Sequence, residues 1–246
     1  MKDLKALFLT LGWPAAASIS LAVAVGKHPF SLPGLLLLAC CTAASYALDR
    51  WLDHPKTDSA SFRKALLLCL LFVSCLGGGL ALTAWWRFKI CMILGLISMA
   101  YVPLKKWIPK NVLTTFSWTV AVSTLPFHDA PDFSGKYAAS IFAVFCIMAA
   151  DTILCDIPDV EADRKAGVRG ITPRYGEKVG ATFVVIYGLL AAGFAGVYAH
   201  WGLSLTGLVL AVLALLMVRT PKPNRYRPWA DIVVTFLPGP MTLLIG

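Results

Sequence analysis

The chain has 246 residues, of which 58% are hydrophobic and 14% charged, and its formal net charge is +9. An average soluble domain is about 45–50% apolar and about 25% charged. The composition therefore excludes a disordered chain, a basic nucleic-acid-binding domain and an ordinary soluble globule. It predicts a multi-pass membrane protein with one transmembrane domain over residues 1–246.

Long apolar runs separated by polar segments predict an all-α transmembrane helical bundle of about nine spans, since about 20 apolar residues cross a bilayer. Only helices and closed barrels satisfy backbone polar groups in lipid, and these runs are too long for barrel strands. In chain order, the predicted spans are 5–25, 32–48, 65–84, 89–104, 111–127, 138–155, 180–199, 203–218 and 229–245.

The basic residues predict the orientation of these spans. Most of the 22 Lys and Arg residues fall at the N-terminus and in the loops after the second, fourth, sixth and eighth spans. Because Lys and Arg accumulate in cytoplasmic loops, the N-terminus is predicted in the cytoplasm and the C-terminus outside, in the cell (inner) membrane. The same distribution explains the net charge without a nucleic acid partner.

The chain has only 13 acidic residues, and five of them form two clusters at the cytoplasmic ends of predicted spans. The first acidic cluster, after the second span, is Asp49 and Asp53; the second acidic cluster, after the sixth span, is Asp156, Asp159 and Asp163. On a helix these spacings place the carboxylates of each cluster on one face, where they repel. A Mg²⁺ ion, which prefers carboxylate oxygens, would offset that repulsion. Alternatively, these are solvated loop acids paired with neighbouring basic side chains.

Basic residues lie close to both clusters. Lys105, Arg63 and Arg164 are the candidates for contact with a diphosphate, and Arg169 is a further one. Acids that hold a metal and bases that hold phosphate oxygens together stabilise charge on a phosphate leaving group. Alternatively, each base serves only membrane topology or contact with anionic lipid.

Asp151 is a carboxylate inside the sixth predicted span. Carboxylates within the membrane are costly and usually functional. Asp151 is therefore a candidate to orient an acceptor, to act as a base or to steady a cation. The alternative is a structural role as the partner of a neighbouring Lys or Tyr.

The second acidic cluster resembles a motif of the UbiA superfamily of membrane prenyltransferases. That motif is close to D-x-x-D-x-x-x-D followed by a basic pair and a glycine, and the stretch from Asp156 to Gly167 matches it. Tyr101 and Lys105 match a second feature of the family, Y-x-x-x-K. The resemblance covers nearly the whole chain, since family members also have nine helices.

The first acidic cluster matches the family's other motif, N-D-x-x-D-x-x-x-D, only in part. Asp49 and Asp53 are its last two acids, whereas Ser45 and Tyr46 stand where Asn and the first Asp are expected. This departure removes oxygen ligands from the first metal site, and it implies weaker metal binding or a single firmly held ion.

The resemblance implies a UbiA-like helical bundle around a cavity that opens toward the cytoplasm. Both clusters would bind Mg²⁺ and an isoprenyl diphosphate, whose ionisation gives an allylic cation that a lipophilic, often aromatic acceptor captures. The implied roles are metal binding for Asp49, Asp53, Asp156, Asp159 and Asp163, diphosphate binding for Lys105, Arg63, Arg164 and Arg169, and catalysis for Tyr101 and Asp151. The alternatives are a terpene cyclase of the same type and a non-catalytic membrane carrier or lipid-binding protein.

Overall fold

The computed structural model describes residues 2–26, 30–53, 59–127, 135–219 and 227–245. Within these ranges the regular structure is helical, apart from one isolated bridge between Phe30 and Phe127. In chain order the helices are α1 (Lys2–Val25), α2 (Leu32–Asp53), α3 (Ala60–Ala81), α4 (Trp85–Leu104), α5 (Lys110–Thr124), α6 (Gly135–Asp156), α7 (Val160–Lys165), α8 (Ile171–Tyr175), α9 (Glu177–Val197), α10 (Trp201–Arg219), α11 (Arg227–Phe236) and α12 (Pro238–Ile245).

The predicted all-α membrane architecture is confirmed. Seven of the described helical segments are long and apolar enough to cross a membrane: α1, α2, α3, α6, α9, α10 and the α11–α12 pair. The chain is thus a multi-pass integral membrane protein. The other two predicted spans correspond to α4 and to α5, whose 15 residues measure only about 22 Å at 1.5 Å per residue. The count of about nine spans stays a prediction.

The described chain divides into two compact units, and the first comprises Met1–Ile19, His28–Val102 and Val120–Pro131. Part of its core forms where α2 and α3 pack together, through Ala47, Phe62 and Leu66, with side chains of α1 against them. The hydroxyl of Ser59 caps α3 by accepting a hydrogen bond from the Phe62 amide at 3.2 Å. This cap fixes the first turn of α3 and with it the inward direction of Phe62.

Arg87 of α4 joins two connecting segments of the first unit. Its side chain is buried, and the guanidinium donates hydrogen bonds to the Ser31 hydroxyl at 2.7 Å and to the Phe127 carbonyl. The Ser31 amide in turn donates to the Pro126 carbonyl at 2.9 Å. A buried guanidinium needs such acceptors, because an unpaired buried charge is costly.

The second unit comprises Ser20–Lys27, Pro103–Thr119 and Asp132–Gly246. Helix α6 is its central element, with most of its side chains buried against α9, α10 and α11. Helices α9 and α10 are in close contact at Gly188 and Gly207, where a Cβ on either residue would lie 2.5 Å from the carbonyl oxygen of the other. Small residues permit such close helix packing in membranes. A single domain over 1–246 stays a prediction.

Candidate functional site

The second acidic cluster starts where α6 ends. Helix α6 stops at Asp156, a turn follows, and α7 begins at Val160. Pro158 in this turn has no backbone N–H and disfavours a helical conformation for the residue before it. The cluster therefore occupies two helix ends and a turn, and it does not form one continuous helical face.

Lys110, the first residue of α5, lies between two carboxylates of the second acidic cluster. Its ammonium nitrogen is 2.7 Å from Asp156 Oδ1 and 2.5 Å from Asp163 Oδ2. Burial alone would lower the pKa of Lys110, but the two carboxylates outweigh burial and raise that pKa. Lys110 is therefore a fixed positive charge that joins α5 to the ends of α6 and α7.

Asn111 completes the contacts of Asp156. Its amide nitrogen donates to Asp156 Oδ2 at 2.7 Å, and its amide oxygen accepts a hydrogen bond from the Ile171 backbone at 3.4 Å. Both carboxylate oxygens of the buried Asp156 are thus engaged. Neither Lys110 nor Asn111 belongs to a motif in the sequence; the one signal is a Lys–Asn pair at the start of a predicted span.

Two connecting segments meet beside this cluster in what we term the basic clasp, formed by residues 105–110 and 166–170. The Arg169 amide donates to the Lys105 carbonyl at 3.1 Å, and the Lys110 amide donates to the Arg169 carbonyl at 2.9 Å. Gly167 has a φ of +70°, a conformation that favours glycine and turns the chain back after α7. The clasp places Lys105 and Arg169, two of the predicted diphosphate residues, next to each other.

The other two predicted diphosphate residues have separate surroundings. Arg164 donates from Nε to the Pro173 carbonyl at 3.2 Å and forms an exposed ion pair with Glu161 at 2.7 Å. Exposed pairs contribute little free energy, so an anionic ligand could replace Glu161 at small cost. In the first unit, the guanidinium of Arg63 lies over the ring of Trp51 at 5.5 Å.

The first acidic cluster lies at the end of α2, in the first unit. Asp49 is half-buried, and Asp53 is the last residue of the helix, with its side chain outside the described part of the structure. Ser45, at the position of the family's Asn, has its hydroxyl 3.0 Å from that of Ser98 on α4. Ser45 therefore links two helices, as serines in spans often do. Tyr101 is half-buried near the end of α4.

Asp151 belongs to a separate group of three side chains in the second unit. Ligand atoms of Asp151 and Cys155 on α6 and of Asp231 on α11 all lie within 4.8 Å of one another, and the three residues are half-buried. Asp231 was not among the predicted residues. Its signal in the sequence was the same as that of Asp151, a carboxylate inside a predicted span.

Comparisons with known proteins agree with this fold. No protein-family model and no curated protein matches the sequence. Similar solved structures include an apo UbiA homolog from Aeropyrum pernix K1, with TM-score 0.65 and 14% identity over 96% of this chain and 98% of that one. They also include a digeranylgeranylglyceryl phosphate synthase, with TM-score 0.59 and 14% identity over 98% of this chain and 99% of that one. The likeness thus extends over nearly the full length of this chain and of each of these two solved structures. The chain has the UbiA-type fold that its motifs indicated.

Proposed function

We propose that this protein transfers an isoprenyl group from an isoprenyl diphosphate to a lipophilic, aromatic acceptor inside the membrane. The observation that carries the proposal is the second acidic cluster with the basic clasp beside it, at the end of the long apolar helix α6. Such a place offers charge to a diphosphate and apolar surroundings to an isoprenoid chain. The UbiA-type fold supports the same reaction class.

Mg²⁺ is the cofactor that the motifs imply, and the described residues test its fit. Asp159 and Asp163, with Asp49 and Asp53 of the first unit, offer the carboxylate oxygens that this ion prefers. Asp156 does not fit a direct ligand in the arrangement observed, because Lys110 and Asn111 engage both of its oxygens. Mg²⁺ binding is therefore proposed as direct for Asp49, Asp53 and Asp159, and as mediated by water for Asp156 and Asp163, whose carboxylates contact Lys110.

The basic residues would act on the bond that breaks. When the C–O bond of the substrate breaks, the electron pair leaves with the diphosphate, and an allylic cation remains. Lys105, Arg164 and Arg169 of the second unit, with Arg63 of the first, are proposed to stabilise the charge that develops on this leaving group. Tyr101 is proposed to hydrogen-bond phosphate or to shield the cation.

The Asp151 group would act on the acceptor. A new carbon–carbon or carbon–oxygen bond to the allylic cation leaves a surplus proton on the acceptor, and a carboxylate within reach would take it. Asp151 is proposed for this role, and the neighbouring Asp231 is proposed to share it, since its carboxylate belongs to the same group.

The distribution of Lys and Arg supports a cytoplasmic N-terminus and an outer C-terminus in the inner cell membrane.

The test is transfer of radiolabel from an isoprenyl diphosphate to membrane lipids by the full chain. We expect Asp159→Ala and Asp49→Ala each to abolish Mg²⁺-dependent transfer. Glu177→Ala is the control, because Glu177 is an exposed acid outside both clusters. Full activity of both cluster variants would overturn the assignment. A labelled hydrocarbon formed without any acceptor would show a cyclase instead, and mass spectrometry of the lipids would identify the acceptor.

A further inference from the structure

The second acidic cluster already contains a cation, the ammonium of Lys110. Its distances of 2.7 Å to Asp156 and 2.5 Å to Asp163 are those of strong charge-assisted hydrogen bonds. The fraction of the side chain that is exposed to solvent is 17% for Lys110, 8% for Asp156 and 16% for Asp163. Attraction between charges is stronger at such sites than between exposed groups, because the local dielectric constant is lower.

Lys110 is anchored by its backbone and not only by its side chain. Its amide donates to the Arg169 carbonyl within the basic clasp, and the residue opens α5. The next residue, Asn111, donates to the second oxygen of Asp156 at 2.7 Å. The start of α5 therefore supplies both groups that contact Asp156, and it holds the ammonium within reach of the two carboxylates.

A divalent cation bound directly to Asp156 and Asp163 would meet this ammonium. Mg²⁺ binds carboxylate oxygens at about 2.0–2.1 Å, so the ion and Lys110 would contact the same oxygens. Two cations at that separation repel strongly. Asp156 and Asp163 together can hold one of these two cations in direct contact, and Lys110 has the advantage of being part of the chain.

We propose that Lys110 is the built-in cation of the second acidic cluster, and that a divalent ion binds Asp156 and Asp163 directly only when Lys110 is displaced or removed. Lys110 is then a positioning residue that sets the divalent-ion affinity of the cluster. The inference rests on the geometry of these three side chains and does not require prenyl transfer, so either can fail without the other.

The experiment measures binding of Mn²⁺ to the purified full chain in detergent, by the loss of the electron paramagnetic resonance signal of free Mn²⁺. We expect Lys110→Gln to bind one additional Mn²⁺ per chain, or to bind Mn²⁺ about tenfold more tightly, than the wild type. The double variant Lys110→Gln/Asp163→Asn should lose that gain. Lys178→Gln is the matched control, because it removes an equal charge from an exposed lysine outside the cluster and the basic clasp. It should bind Mn²⁺ as the wild type does.

The proposal is overturned if folded Lys110→Gln and wild-type protein bind Mn²⁺ with the same number and affinity. If Lys110→Gln does not fold in metal-free buffer, Mn²⁺ should restore its thermal stability and should fail to restore that of the double variant. Absence of rescue by Mn²⁺ would equally overturn the proposal. Because both measurements report metal binding, an inactive enzyme does not affect either result.

Discussion

Substitution of Asp156 by asparagine should destabilise the fold far more than the same substitution of Asp163. Both carboxylates contact Lys110, but only Asp156 also receives a hydrogen bond from Asn111. In Asp156→Asn one carboxylate oxygen is replaced by an NH₂ group, which then faces a donor, either the ammonium or the Asn111 amide. One buried hydrogen bond is lost and two donors are brought together.

The structure gives the size of this effect. A hydrogen bond to a charged group contributes about 1.5–3 kcal/mol, and a buried donor left unsatisfied costs about 1–3 kcal/mol. The remaining amide oxygen still accepts one hydrogen bond, so the expected loss for Asp156→Asn is about 2–4 kcal/mol. In Asp163→Asn only the contact with Lys110 weakens, while Asp156 keeps the ammonium in place, so about 1 kcal/mol is expected.

The free energy of unfolding can be measured by denaturant titration in mixed micelles, with tryptophan fluorescence as the signal. Glu177→Gln, at an exposed acid outside the cluster, controls for the loss of one negative charge. A loss for Asp163→Asn equal to or larger than that for Asp156→Asn would refute the reasoning. It would mean that burial and the Asn111 contact do not determine the contribution of each acid.

Three other predictions concern stability. Arg87→Met should cost about 2–4 kcal/mol, because it removes the buried hydrogen bonds that the guanidinium donates to the Ser31 hydroxyl and the Phe127 carbonyl. The same titration measures this loss. Gly207→Val should cost at least about 1–3 kcal/mol by overpacking, whereas Gly193→Val, where a Cβ meets open space, should cost far less. Burial and then the charge of Lys136 lower the pKa of His200 from its ordinary value of 6.5. The folded state thus binds fewer protons than the unfolded state, so stability should fall as pH drops below about 6.5. His200→Asn should remove that part of the pH dependence.

Each of these three stability predictions has an outcome that would contradict it. An unchanged unfolding free energy for Arg87→Met would mean that the connections it joins are held by other contacts. Equal losses for the two glycine variants would show that helix propensity, and not the contact between α9 and α10, limits substitution. A pH profile that is the same with and without His200 would assign the acid sensitivity to other groups.

The membrane fold could be predicted because span length is a property of local sequence. Runs of apolar residues are long enough to identify each major helix, and most of the predicted helix ends lie within a few residues of the observed ones. The break in the last predicted span was missed, since Leu237 and Pro238 lie inside an apolar run and the chain bends there between α11 and α12. Helices α7 and α8, of six and five residues, were missed because they are too short to show a helical period.

The candidate site could be predicted only where its residues are close in sequence. The acids of the second cluster have regular spacing, so the pattern identified them. Lys110 and Asn111 contact partners 53 and 45 residues away, and no local pattern indicates a contact of that kind. The proximity of Asp231 to Asp151 could not be predicted for the same reason, because it depends on how α11 packs against α6.

The basic clasp has a consequence for motion. Its two backbone hydrogen bonds connect residue 169 with residues 105 and 110, so neither segment can open without breaking a bond to the other. The amide hydrogens of Lys110 and Arg169 should therefore exchange with solvent at a common rate, as members of one cooperatively opening unit. An anion that orders one segment would at the same time order the other, and its binding should slow exchange on both. A phosphate that contacts only one segment of the basic clasp would thus slow amide exchange in the other segment as well.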